Sequence, residues 1–280
     1  MPSLCYIDGE IFPLSEARVP VDDLAFQRGY GVFDFLRTYG GRPFRLRQHL
    51  DRLRRSAALV GIELPWGRAE LEKIIRLLLN RSSLDEANIR LIVSGGSSPD
   101  FLTPPPCPRL VLIVSPVETY PRAWYEEGVA LTLARRERSY PEAKTINYLA
   151  AVAGIAAARR GGAVEPLLVD REGNVREGET ANLFALCSGV LVTPSVGILP
   201  GVTREFLLEL AREVVPVREQ KLSLERLYGA EEAFITATNK EVVPVVRVGE
   251  RTIGAGRPGP VTRKLMDAFR RKVEEFVRAG

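Results

Sequence analysis

The sequence predicts an α/β protein of two domains, and three observations carry that expectation. Apolar strand-like runs such as NIRLIVSGG and PRLVLIVSPV alternate along the chain with segments of helical periodicity. The length of 280 residues is enough for two ordinary hydrophobic cores. Between them, PVETYPRAWY (116–125) carries two prolines and no periodicity, as a linker does. The expected division is an N-terminal domain over 1–117, a linker over 118–125 and a C-terminal domain over 126–280.

Each element has a local reason. Residues 4–12, LCYIDGEIF, read as two short strands around the Asp8-Gly9 turn. AFQRGYGVFDFLRTYGGRPFRL alternates apolar and polar residues around Gly40-Gly41, a second hairpin that carries Arg28 and Arg37. Leu46, Leu50, Leu53, Ala57 and Val60 then recur at helical spacing until Gly61, with His49, Arg52 and Ser56 on a neighbouring stripe. A second helix over 69–80 presents Leu71, Ile74, Ile75, Leu78 and Leu79. Two buried strands follow, joined by a Pro- and Ser-rich connection over 95–108 of the length that functional or interface loops have. Arg90 interrupts the first of these strands, so it lies at an edge, faces a ligand or pairs with an acid such as Asp34.

VALTLARRERSY is a strand leading to Lys144, and an Ala-rich helix spans about 148–160. PLLVD and VREGETANLFAL form a hairpin around REGN, and GVLVTPS adds a strand. PGVTREFLLELAREV (200–214) and GPVTRKLMDAFRRKV (259–273) each set Gly and Thr before an amphipathic helix. Such a start is either a phosphate site or a plain cap, and the pattern alone does not choose. Between them, AEEAFITATNKEVVPVVRVG is two strands around a polar break at Thr238-Asn239.

Composition excludes several classes. Hydrophobic residues at 45% and charged residues at 26% are those of a globular protein. A net charge of +4, with no Lys/Arg run, gives no nucleic-acid footprint. No apolar run is long enough to span a bilayer, and MPSLCYIDGE lacks the charged and apolar regions of a secretory signal. Cys5, Cys107 and Cys187 are scattered, as in a reduced cytoplasmic protein, and form no zinc motif. His49, the single histidine, reads as a helix-packing residue; no metal is expected. Only six of the 39 basic residues are Lys, which raises each lysine as a candidate for an amine that must deprotonate.

One stretch joins an amine and a carboxylate: Lys144 ahead of the Ala-rich helix, and Glu177 after the hairpin. Its motifs are K-T-I-N-Y from Lys144 and E-G-E-T-A-N-L-F from Glu177, continued by LVTPSVGILPGVTRE and TATNKEVVPV. With the N-terminal Y-I-D-G-E and the H-L-D-R-L helix, the sequence resembles the class IV, fold type IV aminotransferases that use pyridoxal 5′-phosphate, relatives of branched-chain and D-amino acid transaminases. The resemblance covers nearly the whole chain. Glu179 departs from it, where the family has a small residue.

The resemblance implies a smaller N-terminal α/β sandwich, a larger C-terminal pseudo-barrel, the cofactor at their interface, and a homodimer in which the 95–108 loop covers the partner's site. It implies that Lys144 forms the Schiff base and shuttles the α-proton, and that Glu177 pairs with the pyridine nitrogen. Arg52, Val202, Thr203 and Thr238 are then the phosphate ligands, which leaves 259–262 as a cap; Leu199 lies on the ring and Tyr148 near its phenolic oxygen.

The substrates implied are an amino acid and a 2-oxo acid. Arginine at 28, where branched-chain enzymes tend to carry tyrosine, and SGGSSPDF in place of a T-R-G run point to a D-amino acid transaminase with Arg28 and Arg90 as its carboxylate clamp. Asn239 and Lys240 are expected beside them. A branched-chain L-amino acid aminotransferase is the alternative. An (R)-amine transaminase, an aminodeoxychorismate lyase and a cofactor-free binding protein on the same fold are further ones.

Overall fold

The computed structural model describes residues 3–279. Its contacts divide the chain into two units. The first holds the residues up to Glu118 together with Ala143–Tyr148, and the second holds Thr119–Glu142 and the chain from Leu149 onward. The expected linker therefore does not stand apart: from Thr119 it belongs to the second unit, where Tyr120 stacks on Trp124.

The first unit contains β1 (Leu4–Ile7), β2 (Glu10–Pro13), α1 (Leu24–Arg28), β3 (Gly31–Tyr39), β4 (Arg42–Pro43), α2 (Leu46–Leu59), α3 (Arg68–Ser82), β5 (Ala87–Ser94) and β6 (Arg109–Pro116). The strands form an antiparallel sheet in the order β2-β1-β6-β5-β3-β4. Their period of two sorts the faces. Val32, Leu36, Ile89, Leu91 and Val93 pack with Leu50, Leu53, Ile75 and Leu78 of the helices. Phe33 and Phe35 alternate to the other face, where Arg90 lies opposite Phe35.

The reading of 25–30 as strand is corrected: it is α1, because Asp23 caps it through a 2.8 Å bond from Ala25 N–H and Gly29 ends it at φ 65°. Ala143–Tyr148 runs along β3, with bonds of 2.8 Å from Phe33 N–H to the Lys144 carbonyl and 3.1 Å from Ile146 N–H to the Gly31 carbonyl.

The second unit contains α4 (Ala123–Glu126), β7 (Val129–Arg135), α5 (Leu149–Arg160), β8 (Glu165–Val169), β9 (Asn174–Gly178), β10 (Asn182–Cys187), β11 (Val190–Thr193) and α6 (Val202–Ala211). It continues with β12 (Val217–Glu219), β13 (Leu222–Ser223), α7 (Leu224–Tyr228), β14 (Glu232–Ala237), β15 (Glu241–Val248), β16 (Arg251–Thr252) and α8 (Pro260–Arg278). Its sheet runs β12-β11-β10-β14-β15-β7-β8-β9-β13, with β16 on β15.

This order forces curvature. β9 and β10 are five positions apart, about 24 Å in a flat sheet at the usual strand spacing. Yet the chain from Gly178 to Asn182 spans at most about 15 Å at 3.8 Å per Cα step. The sheet must therefore curl until β9 and β10 approach, and Gly178 N–H does bond the Ala181 carbonyl at 2.7 Å. Inside the curl lie Leu131, Leu167, Leu183, Ile235, Val243 and Val245. Among the described residues no helix is long and apolar enough to cross a membrane.

Gly178 sits at this seam because a Cβ there would overlap Glu165 Oε1. Glu165 is itself bonded to Lys240 and Thr180 and has nowhere to retreat. Gly178→Ala is expected to lose about 1–3 kcal/mol through overpacking, read as a lower denaturant midpoint at unchanged slope.

Candidate active site

In the first unit the strand, helix and connector bring one cluster together. The Lys144 backbone N–H donates to Ser56 Oγ at 3.0 Å, and its amine lies 4.6 Å from the centre of the Phe33 ring. Tyr148 meets the same ring edge-on at 5.5 Å. The Arg90 guanidinium stands over Phe33 at 5.3 Å and over Phe35 at 5.4 Å, with its side chain exposed. Phe33 thus carries two cations.

On the α2 face, Asp34 is fully buried between the apolar Val32 and Leu36. It survives there because α2 aims His49 and Arg52 at it. His49 Nδ1 is 2.7 Å from Oδ1; Arg52 donates from Nε to Oδ2 at 2.9 Å and from Nη2 to Oδ1 at 2.8 Å. Burial alone would raise the Asp34 pKa, but Arg52 and His49 hold its carboxyl far below the usual carboxylate range. Burial also lowers the pKa of His49, helped by the charges of Arg52 and Lys144 against the pull of Asp34. A neutral ring must then carry its proton on Nδ1 to donate to the carboxylate. Arg52 Nη1 takes part in neither bond to Asp34.

In the second unit the seam carries Glu177, 2% exposed at the end of β9. Its Oε2 accepts from Asn182 Nδ2 at 3.0 Å and from Leu199 N–H at 3.1 Å, while Arg138 Nε stands 3.3 Å from Oε1. Asn182 also donates to the Leu199 carbonyl at 2.9 Å, so Leu199 and Glu177 are fixed together. Thr203 and Thr238 bring their hydroxyls within 3.4 Å of each other.

The two Gly-Thr helix starts differ in one respect. At α8 the Glu232 carboxylate accepts from Val261 N–H at 3.0 Å, and from Thr262 N–H and hydroxyl at 2.7 Å each. That terminus already has its anion. At α6 no side chain caps the helix, and Gly201 is required because a Cβ would overlap Asn182 Oδ1. The dipole end and N–H groups of Val202 and Thr203 suit an external phosphate.

The remaining expected site residues have these surroundings. Arg28 is exposed at the end of α1 and donates to the Gln27 carbonyl at 3.1 Å. Neither Arg28 nor Arg90 pairs with Asp34, whose oxygens face His49 and Arg52. Asn239 donates its amide to the Tyr120 hydroxyl. Lys240, expected beside substrate, is buried with its ammonium 2.5 Å from Glu165 Oε2 and 2.6 Å from Thr180 Oγ1. Glu179 is buried and paired with Arg136, which answers its departure from the family pattern. The sequence offers Asp34 only as a partner for Arg90, and it assigns no role to Phe33, Arg138, Asn182 or Glu165. The polar stripe His49–Arg52–Ser56, beside the apolar face of α2, is the local signal that this side of the helix meets polar partners.

A lysine, a buried carboxylate and an uncapped helix start are the parts of a cofactor-dependent amino-group transferase, and comparison with known proteins agrees. The amino-transferase class IV profile matches residues 31–248. The chain is 36% identical to a putative branched-chain-amino-acid aminotransferase of Methanocaldococcus jannaschii, over 95% of this chain and 94% of that protein. It is 30% identical to a D-alanine aminotransferase of Staphylococcus epidermidis, over 96% and 97% respectively. Among solved structures, the T.th. branched-chain amino acid aminotransferase with pyridoxamine 5′-phosphate superposes with a TM-score of 0.89 at 29% identity, covering 98% of this chain and 94% of the other. The chain belongs to the class IV aminotransferases, fold type IV enzymes that use pyridoxal 5′-phosphate.

The Asp34 network makes stability pH-dependent with a definite sign. His49 takes up a proton in the unfolded chain near pH 6.5 but only at lower pH in the folded one. Its contribution is full above that pH and is lost as pH falls through the two values. Asp34, also depressed, adds a second loss at still lower pH. The melting temperature is expected to drop on going from about pH 7.5 to 5.5, and to drop less in His49→Gln, since His49 is the single histidine. Asp34→Ala, which leaves Arg52 buried without its carboxylate, is expected to cost about 3–5 kcal/mol in denaturant unfolding.

Proposed function

We propose that this aminotransferase acts on D-amino acids, with Arg28 and Arg90 receiving the substrate carboxylate. The observation that carries the reading is Arg90: its guanidinium shares the Phe33 ring with the Lys144 amine. Asp34, on the other face of β3, is engaged by His49 and Arg52 and not by Arg90. A guanidinium held on an aromatic face keeps its fork of donors for a carboxylate.

Bound pyridoxal 5′-phosphate supplies a carbonyl carbon for the amino group and a ring that accepts electrons from the substrate's α-carbon. Lys144 Nζ would hold the cofactor and would take and return the substrate's α-proton. Glu177, its Oε2 fixed by Asn182 and Leu199, keeps a proton on the pyridine nitrogen. By the family pattern, Leu199 would lie on the ring and Tyr148 would serve its phenolic oxygen. Thr203, Thr238 and the N–H groups at the start of α6, which has no side-chain cap among the described residues while Glu232 occupies the α8 start, would hold the phosphate, and the family pattern assigns Arg52 to it as well.

A second reading, a branched-chain L-amino acid aminotransferase, is favoured by the name of the 36% identical relative. We also propose a homodimer, because Val21, Phe26 and Leu102 of the first unit and Leu149 and Val152 of the second are exposed apolar side chains. Free thiols at Cys5, Cys107 and Cys187 suit a reducing cytoplasm.

The pyridoxal form is expected to bleach rapidly with D-alanine or D-glutamate, and Lys144→Ala to abolish turnover. Bleaching by L-leucine alone overturns the D-specific reading, and bleaching only by (R)-phenylethylamine points to an amine transaminase. Arg90→Ala is expected to raise KM for the amino acid about 10- to 100-fold, with circular dichroism unchanged.

A further inference from the structure

Lys240 is the feature that the assigned chemistry does not use. Of the six lysines, Lys73, Lys221, Lys264 and Lys272 are exposed, Lys144 is half-buried, and Lys240 alone is buried. Its ammonium reaches Glu165 Oε2 at 2.5 Å and Thr180 Oγ1 at 2.6 Å, and Thr180 Oγ1 closes the triangle by donating to Glu165 Oε2 at 2.5 Å. Glu165 is 1% exposed at the start of β8.

A buried ion pair is a poor way to gain stability, since apolar side chains of similar volume do as well or better. What it does give is a fixed geometry, and the three segments it fixes are informative. Thr180 lies three residues after Glu177, in the turn between β9 and β10. Lys240 lies two residues after Thr238, in the turn between β14 and β15. The second turn is held from its other side as well: Tyr125 OH donates to the Lys240 carbonyl at 3.2 Å and Asn239 bonds the Tyr120 hydroxyl. Thr238 is left with its hydroxyl toward Thr203.

We propose that Lys240, Glu165 and Thr180 form a clasp that sets the distance between Glu177, at the cofactor's ring nitrogen, and Thr238, at its phosphate. They are positioning residues, acting through the two turns and touching neither cofactor nor substrate. The inference rests on the cofactor roles given above for Glu177 and Thr238.

The test is cofactor retention. Holoenzyme is diluted with a carbonyl scavenger, and the loss of bound-cofactor absorbance is timed beside the melting temperature of each variant. Thr180→Val keeps shape, the ion pair and the 3.4 Å bond from Thr180 N–H to Glu165 Oε1, but removes the hydroxyl that links both charged groups to the Glu177 turn. It is expected to lose cofactor about five- to tenfold faster than the wild type, the net worth of one ordinary hydrogen bond. Thr180→Ser, which keeps the hydroxyl, is expected to stay within about twofold. Lys240→Met should release cofactor at least as fast as Thr180→Val. Retention in Thr180→Val within about twofold of wild type, whatever the melting temperature does, overturns the clasp. Glu177→Ala and Thr238→Val separate the two levels of the argument. If they too leave retention unchanged, the cofactor assignment itself fails; if they lower it while Thr180→Val does not, only the clasp fails.

Discussion

The curl of the second unit's sheet is the constraint on which its functional groups depend. Only three residues join β9 to β10, although five strand positions separate them in hydrogen-bond order. A short connection across so many strands cannot be made in a flat sheet. It closes the sheet on its apolar face, and it leaves Glu177, Gly178, Glu179 and Thr180 at the point of closure. Charged groups there would be costly in isolation. Each has a partner instead: Glu177 with Asn182, the Leu199 backbone and Arg138; Glu179 with Arg136; Glu165 with Lys240 and Thr180.

The first unit solves the same problem with one acid. Asp34 stands on the face of β3 that packs against α2, where its neighbours Val32 and Leu36 are apolar. Its carboxylate aligns Arg52 by a two-point contact and fixes the tautomer of His49. The opposite face of the same strand carries Phe33, on which Lys144 and Arg90 rest. One strand, by its period of two, therefore holds an anion-centred network on one face and a cation-bearing aromatic platform on the other.

Much of this was legible in the sequence, and the reasons are local. The hydrophobic period located α2, α3, β5 and β6, and Asp8-Gly9 and Gly40-Gly41 located two tight turns. The α1 helix was missed because Asp23 lies just ahead of an aromatic alternation that imitates a strand. Arg90 was noticed as a charge in an apolar run, but not the Phe33 and Phe35 rings beneath it, which come from a strand over fifty residues away.

The sequence by itself determined the long periodic elements, the motifs around Lys144 and Glu177, and the two Gly-Thr helix starts, because each is written within one turn or one period of the chain. The tertiary structure alone decided between equivalents. It gave the α8 start to Glu232 and left the α6 start without a side-chain cap, two ends that read alike in sequence. It gave Asp34 to His49 and Arg52 in place of Arg28 and Arg90, and it paired Lys240 with the buried Glu165. The physical reason is the same in each case. A charge chooses its partner by distance in space, and the partners lie 15 to 75 residues away along the chain.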